Sequence, residues 1–462
     1  NNAYPVFSIG TDILLFTFSV PYIGYLEGIR CFVNETDPNS SQSGMNGVDF
    51  SQSFKTKNIE RYAPGANIRI SGYVMYNNNP DYRMSGVNVQ LKNASGVIIG
   101  TTSTTSNPMN GQPGYFAFNN IPDGTGYKLT GSYNGTWGGN NATDALIVQM
   151  NVIGQYPLSG LYETVADVNA SSTISGLDAL YIKLRTIGSA SSYPAGDWKI
   201  SESTFTLSGA PVTEGLTALC VGDVNGSFDP TGSKSAASIS VIDDGVVAVP
   251  VGEAFIYNIR SNKEADLGAM TLFLGFDPNH LEIVEIASMY EGLKYECKGG
   301  NLSIAWADTK PLKVNKDGLL LSLKLKVKEK MSEPSRIFTI KTGSEFADIS
   351  AKPYLNFDLK MAGVLTPDGT ANLSIFNYPN PFSYNTTIVY TLPEQGRVRL
   401  MLTDLYGKTI RTLNDKQEEA GLYTVLVDPD KLNLVPGVYI YKLIFDSAKD
   451  NSTKVNKMVF TR

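Results

Sequence analysis

At 462 residues the chain is long enough for several domains, and a net charge of −6 with 18% charged residues leaves no basic patch for nucleic acid. No run of about eighteen apolar residues is present, so no membrane span is expected. The Gly-, Asn-, Ser- and Thr-rich composition, with 25 tyrosines, fits an extracellular, mostly β, multidomain protein.

Catalysis finds little support. His280 is the only histidine, and it sits in the turn Phe276-Asp277-Pro278-Asn279-His280-Leu281, where it reads as a surface residue. A Ser-His-Asp or Cys-His site would have to be built on it, and no Gly-x-Ser-x-Gly elbow exists. Glu282 and Glu285, three apart on a strand, are expected on opposite sides. Trp137, Trp198 and Trp306 are scattered, so no acidic pair with an aromatic platform stands out, and the chain reads as a non-enzyme. Cys31, Cys220 and Cys297 close at most one disulfide, and with no Cys-x-x-Cys a structural zinc site is not expected. Three buried, quiet thiols are the expected state.

In chain order, residues 1–66 form an N-terminal β segment. The chain starts without Met or a signal peptide, which fits a mature or trimmed form. Its apolar stretch, residues 13–20, is too short for a span and reads as a strand; Ile13, Leu14, Leu15 and Phe16 are candidates for strand donation to a neighbouring copy. Residues 67–132 alternate as strands over 68–76, 87–92, 97–102, 114–118 and 127–131. Ser71-Gly72-Tyr73-Val74, Ser85-Gly86-Val87-Asn88-Val89 and Gly114-Tyr115-Phe116-Ala117-Phe118 resemble the prealbumin-like or Cna-B-like β-sandwich, which implies a stalk or spacer.

Residues 133–200 carry an internal repeat. Thr143-Asp144-Ala145-Leu146 returns as Leu177-Asp178-Ala179-Leu180, and Ile153-Gly154 returns as Ile187-Gly188, both thirty-four residues on. Each Asp-Ala-Leu starts a short helix; in the second, Leu177, Leu180, Tyr181, Leu184 and Ile187 share a face, and Gly188 stops it. Asp167, Asn169, Ser171, Ser175 and Asp178 place oxygen donors at loop positions 1, 3, 5, 9 and 12, with the Thr173 carbonyl at 7. That spacing wraps a loop around one calcium ion. An Asn/Ser turn capped by an Asp is the alternative. The loop and repeat resemble a dockerin. Against that family, Tyr133 and Gly135 stand where the first repeat needs ligands, and Gly176 and Leu177 stand where a hydroxyl pair commonly meets cohesin.

Residues 201–236 read as a linker. Within them Gly222-Asp223-Val224-Asn225-Gly226-Ser227-Phe228-Asp229 repeats the oxygen spacing, but Lys234 takes the twelfth position, so an Asx turn is expected. Residues 237–364 show strands over 246–251, 255–260, 269–276, 281–286, 302–307 and 318–327. With the Asp277-Pro278-Asn279 turn, they resemble a cohesin or a related carbohydrate-binding-type sandwich.

Residues 372–462 form a last β-domain, with strands over 386–391, 398–402 and 438–445 and turns at 404–407 and 436–437. Pro379 and Pro381 cannot donate ladder hydrogen bonds and precede the first strand. Tyr378-Pro379-Asn380-Pro381-Phe382, then Pro436-Gly437 with Tyr439, then Lys457 to the terminal Arg462, resemble the C-terminal sorting domain of type IX secretion in the Bacteroidota. That resemblance implies an immunoglobulin-like fold, contact with the secretion translocon and a place outside the cell or on its surface. The expectation is a string of immunoglobulin-like, prealbumin-like and cohesin-like β-sandwiches interrupted by one dockerin-like helical module. It reads as an adhesive or structural scaffold, such as a self-assembling fibre or sheath subunit. Copies would join head to tail or by strand addition, and the dockerin-like and cohesin-like units would pair within or between chains. A monomeric secretion cargo, an adhesin stalk and a carbohydrate-binding accessory fragment are the alternatives.

Overall fold

The computed structural model describes residues 68–77, 79–230, 238–287, 290–331, 333–366, 372–449 and 451–461. Ile13 to Phe16, Cys31 and Arg462 lie outside the described residues. Mostly strand, with several sheets, the chain is a multidomain β-sandwich protein. Among the described residues no helix is long and apolar enough to cross a membrane.

The first sandwich begins as expected. Strands β1 (Ile68–Tyr76), β2 (Asn88–Lys92), β3 (Ile98–Ser103), β4 (Tyr115–Asn119) and β5 (Gly124–Ser132) follow the alternating runs. Ile70, Val74 and Tyr76 of β1 and Val89 and Leu91 of β2 are buried at every second position. These strands do not close the sandwich by themselves. The segment expected as a linker supplies β7 (Ser203–Leu207), β8 (Val212–Thr213) and β9 (Leu216–Cys220), preceded by β6 (Trp198–Ile200). One sheet runs β4-β1-β9-β6, with β8 also on β1, and the other runs β3-β2-β5-β7. Strand β9 is an interior strand: Val74 stands opposite Leu216 and Tyr76 opposite Ala218. The linker reading fails because these strands are short and broken by Ser208-Gly209-Ala210-Pro211, while Leu216, Leu219 and Cys220 are core residues.

Strand β9 runs parallel to β1. Parallel neighbours need a long crossover, and this one includes the helical segment between β5 and β6, which is therefore an insertion within the first sandwich. Its helices are α1 (Ala142–Val152), α2 (Leu161–Ala166) and α3 (Gly176–Thr186). The stop at Gly188 holds, with φ +84 and its amide donating to the Arg185 carbonyl. The predicted apolar face does not hold at its start. Leu177 is 50% exposed, while Ala179, Ile182, Lys183 and Arg185 are buried. The reason is tertiary: the Lys183 ammonium reaches the Gly292 carbonyl of the next sandwich, and Arg185 stacks on Trp137 and Tyr193.

The second sandwich comprises β10 (Ser238–Ala248), β11 (Ala254–Ser261), β12 (Ala265–Gly275), β13 (Leu281–Ala287), β14 (Lys294–Lys298), β15 (Asn301–Val314), β16 (Leu319–Val327), β17 (Thr339–Ile340), β18 (Glu345–Asp348) and β19 (Asn356–Leu365). Its sheets run β10-β19-β11-β16-β13 and β14-β15-β12-β17, with β18 also on β12. Glu282 and Glu285 share a face, contrary to the alternation argument. A register shift between Ile283 and Glu285 sets Glu282 opposite Lys326 and Glu285 opposite Lys324, the effect of one extra residue in a strand. His280 does sit in a surface turn, beside Asp277 and Glu329.

The last sandwich has β20 (Ser374–Tyr378), β21 (Thr386–Leu392), β22 (Gly396–Thr403), β23 (Thr409–Glu418), β24 (Gly421–Val427), β25 (Gly437–Ser447) and β26 (Asn451–Phe460), in sheets β20-β21-β24 and β23-β22-β25-β26. Cys220 is buried and its thiol is pushed up to about 12, chiefly by that burial. Cys297 is exposed on β14, so the expectation of buried thiols does not hold there.

Two outcomes follow from this arrangement. Leu216→Ala removes an interior side chain of the first sandwich and should cost about 2–5 kcal/mol in urea unfolding; a linker position would show no such loss. Alkylation of the native protein should label Cys297 and spare Cys220 until the chain is denatured, as read by mass spectrometry.

Candidate functional site

The six residues predicted to hold calcium come together at the start of α3. The Ser171 amide donates to Asp167 Oδ1 and Asn169 Oδ1, both at 2.9 Å, and the Ser172 amide donates to Asp167 Oδ2 at 2.7 Å. Ser171 Oγ reaches the Thr173 carbonyl at 3.0 Å. From the other side Asp178 closes the loop: its Oδ1 accepts from the Asn169 amide at 3.2 Å, and its Oδ2 accepts from the Ser175 amide at 2.9 Å. Ala170 and Ser172 take φ of +57 and +68, which turns the chain back on itself. The donor set is all oxygen with two carboxylates, which suits a hard cation such as calcium. Asp178 is also the third helical residue of a capping box with Ser175, so helix start and loop closure share one carboxylate.

The second Asp-x-Asn-x-Ser phrase is more than an isolated turn. The Ser227 amide donates to Asp223 Oδ1 and Asn225 Oδ1, both at 2.9 Å, and the Phe228 amide donates to Asp223 Oδ2 at 2.8 Å. The closing carboxylate is Asp144, at the start of α1. Its Oδ1 accepts from the Val224 amide at 3.0 Å and the Asn225 amide at 3.3 Å, and its Oδ2 accepts from the Asn141 amide at 2.9 Å. Asp144 and Asp223 are fully buried, and the Tyr76 hydroxyl donates to Asp223. Burial, then the neighbouring Asp223 charge, pushes the Asp144 carboxyl well above the ordinary carboxylate range. Lys234, expected at the twelfth position, lies outside the described residues.

The helices also dock on the second sandwich of the same chain. The outer face of β12, β15 and β18 carries small residues in register: Ala347, Ala269 and Ala307 form one row, and Glu345, Thr271 and Ala305 the next. All four alanines are buried in one cluster with Ala142, Ala145 and Leu146 of α1. At Gly268 an added Cβ would lie 2.7 Å from Leu146 Cδ2, so the helix rests directly on the strand. Polar groups fix its end. The Ala142 amide, one of the donors a helix start leaves unpaired, reaches Thr271 Oγ1 at 2.8 Å. Glu345 Oε1 accepts from Thr143 Oγ1 at 2.7 Å and Asn141 Nδ2 at 3.1 Å, placing a carboxylate at the positive end of the helix. From α3 and the turn after it, Lys183 Nζ donates to the Gly292 carbonyl at 3.0 Å and Ser189 Oγ to Glu296 Oε2 at 2.8 Å. Burial, then Lys294, draws the Lys183 ammonium below the ordinary lysine range. The contact between the helical segment and the second sandwich, open in the sequence, is made within the chain. Its sequence signal was the alternation Gly268-Ala269-Met270-Thr271-Leu272 and Ala305-Trp306-Ala307, which puts small residues where an exposed sheet face would carry long polar ones.

The C-terminal motif residues also converge. Asn380 Nδ2 donates to the Lys457 carbonyl at 2.9 Å, and the Val459 amide donates to Asn380 Oδ1 at 2.9 Å. Phe382 stacks on Phe460 with ring centroids 5.2 Å apart. The peptide bonds before Pro379 and Pro381 are cis. Tyr439 Oη donates to the Val435 carbonyl, next to Pro436 and Gly437, at 2.6 Å. Tyr378 faces the second sandwich, where a Cβ at Gly363 would lie 2.6 Å from its ring. Trp306 is 3% exposed in the second core with its ring N–H on the Glu291 carbonyl, so it offers no platform to a sugar.

No family model matches the sequence, and no curated protein matches it. Among solved structures, the chain is similar to a type I cohesin–dockerin complex from Clostridium thermocellum, at 17% identity and a TM-score of 0.22 over 29% of this chain and 99% of that one. It is also similar to a type II cohesin dyad from the ScaA scaffoldin of Acetivibrio cellulolyticus, at 12% identity and a TM-score of 0.22 over 46% and 89%. A third likeness is to dimeric latent PorU from Porphyromonas gingivalis, at 10% identity and a TM-score of 0.17 over 81% and 30%. These likenesses do not bear on what this chain binds.

Ala269→Arg sets a long cation on the docking face and leaves the inward residues Met270 and Leu272 in place. The expected outcome is a larger radius of gyration in small-angle scattering with an unchanged far-ultraviolet spectrum; an unchanged radius would show that the helices do not rest there in solution.

Proposed function

We propose that the chain is a rigid extracellular scaffold unit, exported by the type IX route, in which a dockerin-like module is held in cis on a cohesin-like sandwich. The seating of α1 on the alanine rows is the observation that carries this reading. The contact occupies both the helix face and the sheet face that a recruiting module would present, so it serves as a joint between sandwiches. Recruitment of a separate partner at those faces would require that joint to open. Head-to-tail assembly through the same two faces is disfavoured for that reason. Contact between copies falls instead to sandwich edges, such as β3, where Val97, Ile98 and Ile99 are exposed beside a strand edge unpaired among the described residues.

Calcium is the cofactor of this reading. Asp167, Asn169, Ser171, the Thr173 carbonyl and Asp178 would hold it, with Ser175 capping the helix. The ion would add positive charge between the two carboxylates of the loop, and these residues tie the loop to the start of α3. The convergence of Asn380 with Lys457 and Val459 supports a sorting role for the last sandwich, which meets the translocon during export. No residue is assigned a catalytic role.

Electron microscopy of the natively isolated protein, with and without a calcium chelator, tests the proposal. Regular filaments or sheets in calcium that loosen in chelator are expected. Single particles in both conditions would overturn the self-assembling reading in favour of a monomeric secretion cargo or an adhesin stalk.

A further inference from the structure

We propose that the chain carries a second calcium site, assembled from two distant segments: Asp223, Asn225 and Ser227 from one, the Gly139 carbonyl and Asp144 from the other. The inference extends the calcium reading of the Asp167–Asp178 loop.

The two loops correspond in spacing and in most of their hydrogen bonds. Gly139, Asn141 and Asp144 stand thirty-four residues before Thr173, Ser175 and Asp178, the period of the internal repeat. Ser227 Oγ approaches the Gly139 carbonyl at 3.4 Å as Ser171 Oγ approaches that of Thr173 at 3.0 Å. Asn141 and Ser175 both cap their helices, and Asp144 and Asp178 both close capping boxes. Only the first half of the loop has a different origin. Residues 133–137, which would supply it in a contiguous repeat, are given to the first sandwich: Tyr133 packs on Trp198, and the Trp198 ring N–H donates to the Gly135 carbonyl. The chain segment that leaves β9 fills the vacated positions.

Two observations beyond the loop geometry point to a cation. Asp144 and Asp223 are fully buried beside each other with Glu345 nearby, and among the described residues no Lys, Arg or His forms an ion pair with Asp144. Packing two carboxylates together away from water is costly, and a cation between them would offset the part of that cost that the amide donors leave. The pocket is also shaped for close approach. Gly139 has φ +87, and an added Cβ would lie 2.5 Å from Asp223 Oδ2, so only glycine lets the backbone lie this close to the carboxylate. The donor set is again all oxygen with two carboxylates, as calcium prefers. An ion here would tie the end of β9 to the start of α1, closing the crossover of the first sandwich beside the docking face.

Calcium titration calorimetry of the full chain, stripped with chelator, tests the site. Two ions per chain are expected, falling to one in Asp223→Asn, to one in Asp167→Asn and to none in the double variant. Two ions retained by Asp223→Asn overturn the proposal. So does a single ion in the unmodified chain that Asp167→Asn removes, an outcome that leaves the first loop's reading standing. A single ion removed by Asp223→Asn alone supports the split site and ends the reading of the first loop, and no binding at all ends both. Should Asp223→Asn not fold, hydrogen exchange of the unmodified chain decides. Calcium at 100 times its dissociation constant should slow the Val224, Ser227 and Phe228 amides by on the order of 100-fold. Unchanged rates there, with slowing at Ser171 and Ser172, overturn the proposal.

Discussion

One buried carboxylate, that of Asp144, is where three parts of the molecule meet. It caps α1 through the Asn141 amide, and it holds the segment leaving β9 through the Val224 and Asn225 amides. The same helix start gives the Ala142 amide to Thr271, and Asn141 and Thr143 to Glu345 of the second sandwich. Burying an acid is unfavourable, and bonds from several backbone amides offset much of that cost because charged acceptors bind them strongly. The arrangement works only if helix, returning strand and neighbouring sheet are all in place. The first sandwich, the helical insertion and the joint are therefore coupled through one group.

A second anchor lies on the opposite helix. The Arg185 guanidinium sits 3.5 Å from the Trp137 ring centroid and 4.4 Å from that of Tyr193, and it pairs with Asp197 at 2.7 Å. Cation–ring contacts gain strength when water is excluded, and this one joins the first-repeat loop, α3 and the turn segment leading to β6. With both anchors set, the helices present a fixed face to the second sandwich. That face can be flat because the sheet offers alanine and glycine. The last sandwich is brought close by similar means, with Tyr378 lying over Gly363 and Thr387 against Gly245. Small residues on outer sheet faces thus bring each module onto the next.

Much of this was legible in order along the chain. Period-two alternation marked most of the long strands, because each has one face in a core. The thirty-four-residue repeat marked α1 and α3, and the spacing of Asp167, Asn169, Ser171 and Asp178 marked the first loop, because all its donors lie within twelve residues. What escaped were relations between distant segments. Strand β9 looked like linker because five residues gain their meaning only beside β1. Glu282 and Glu285 changed sides through one bulge that no pattern announces.

By itself, then, the sequence determined the β-sandwich class, the helical repeat and the contiguous loop, since each depends on neighbours a few positions apart. Tertiary structure alone decided that the helical module is an insertion, that its partner face belongs to the same chain, and that Asp223 completes a loop begun at Gly139. Those outcomes rest on contacts between residues about 80 or more apart, and local spacing carries no record of which remote segment will return to satisfy a buried group.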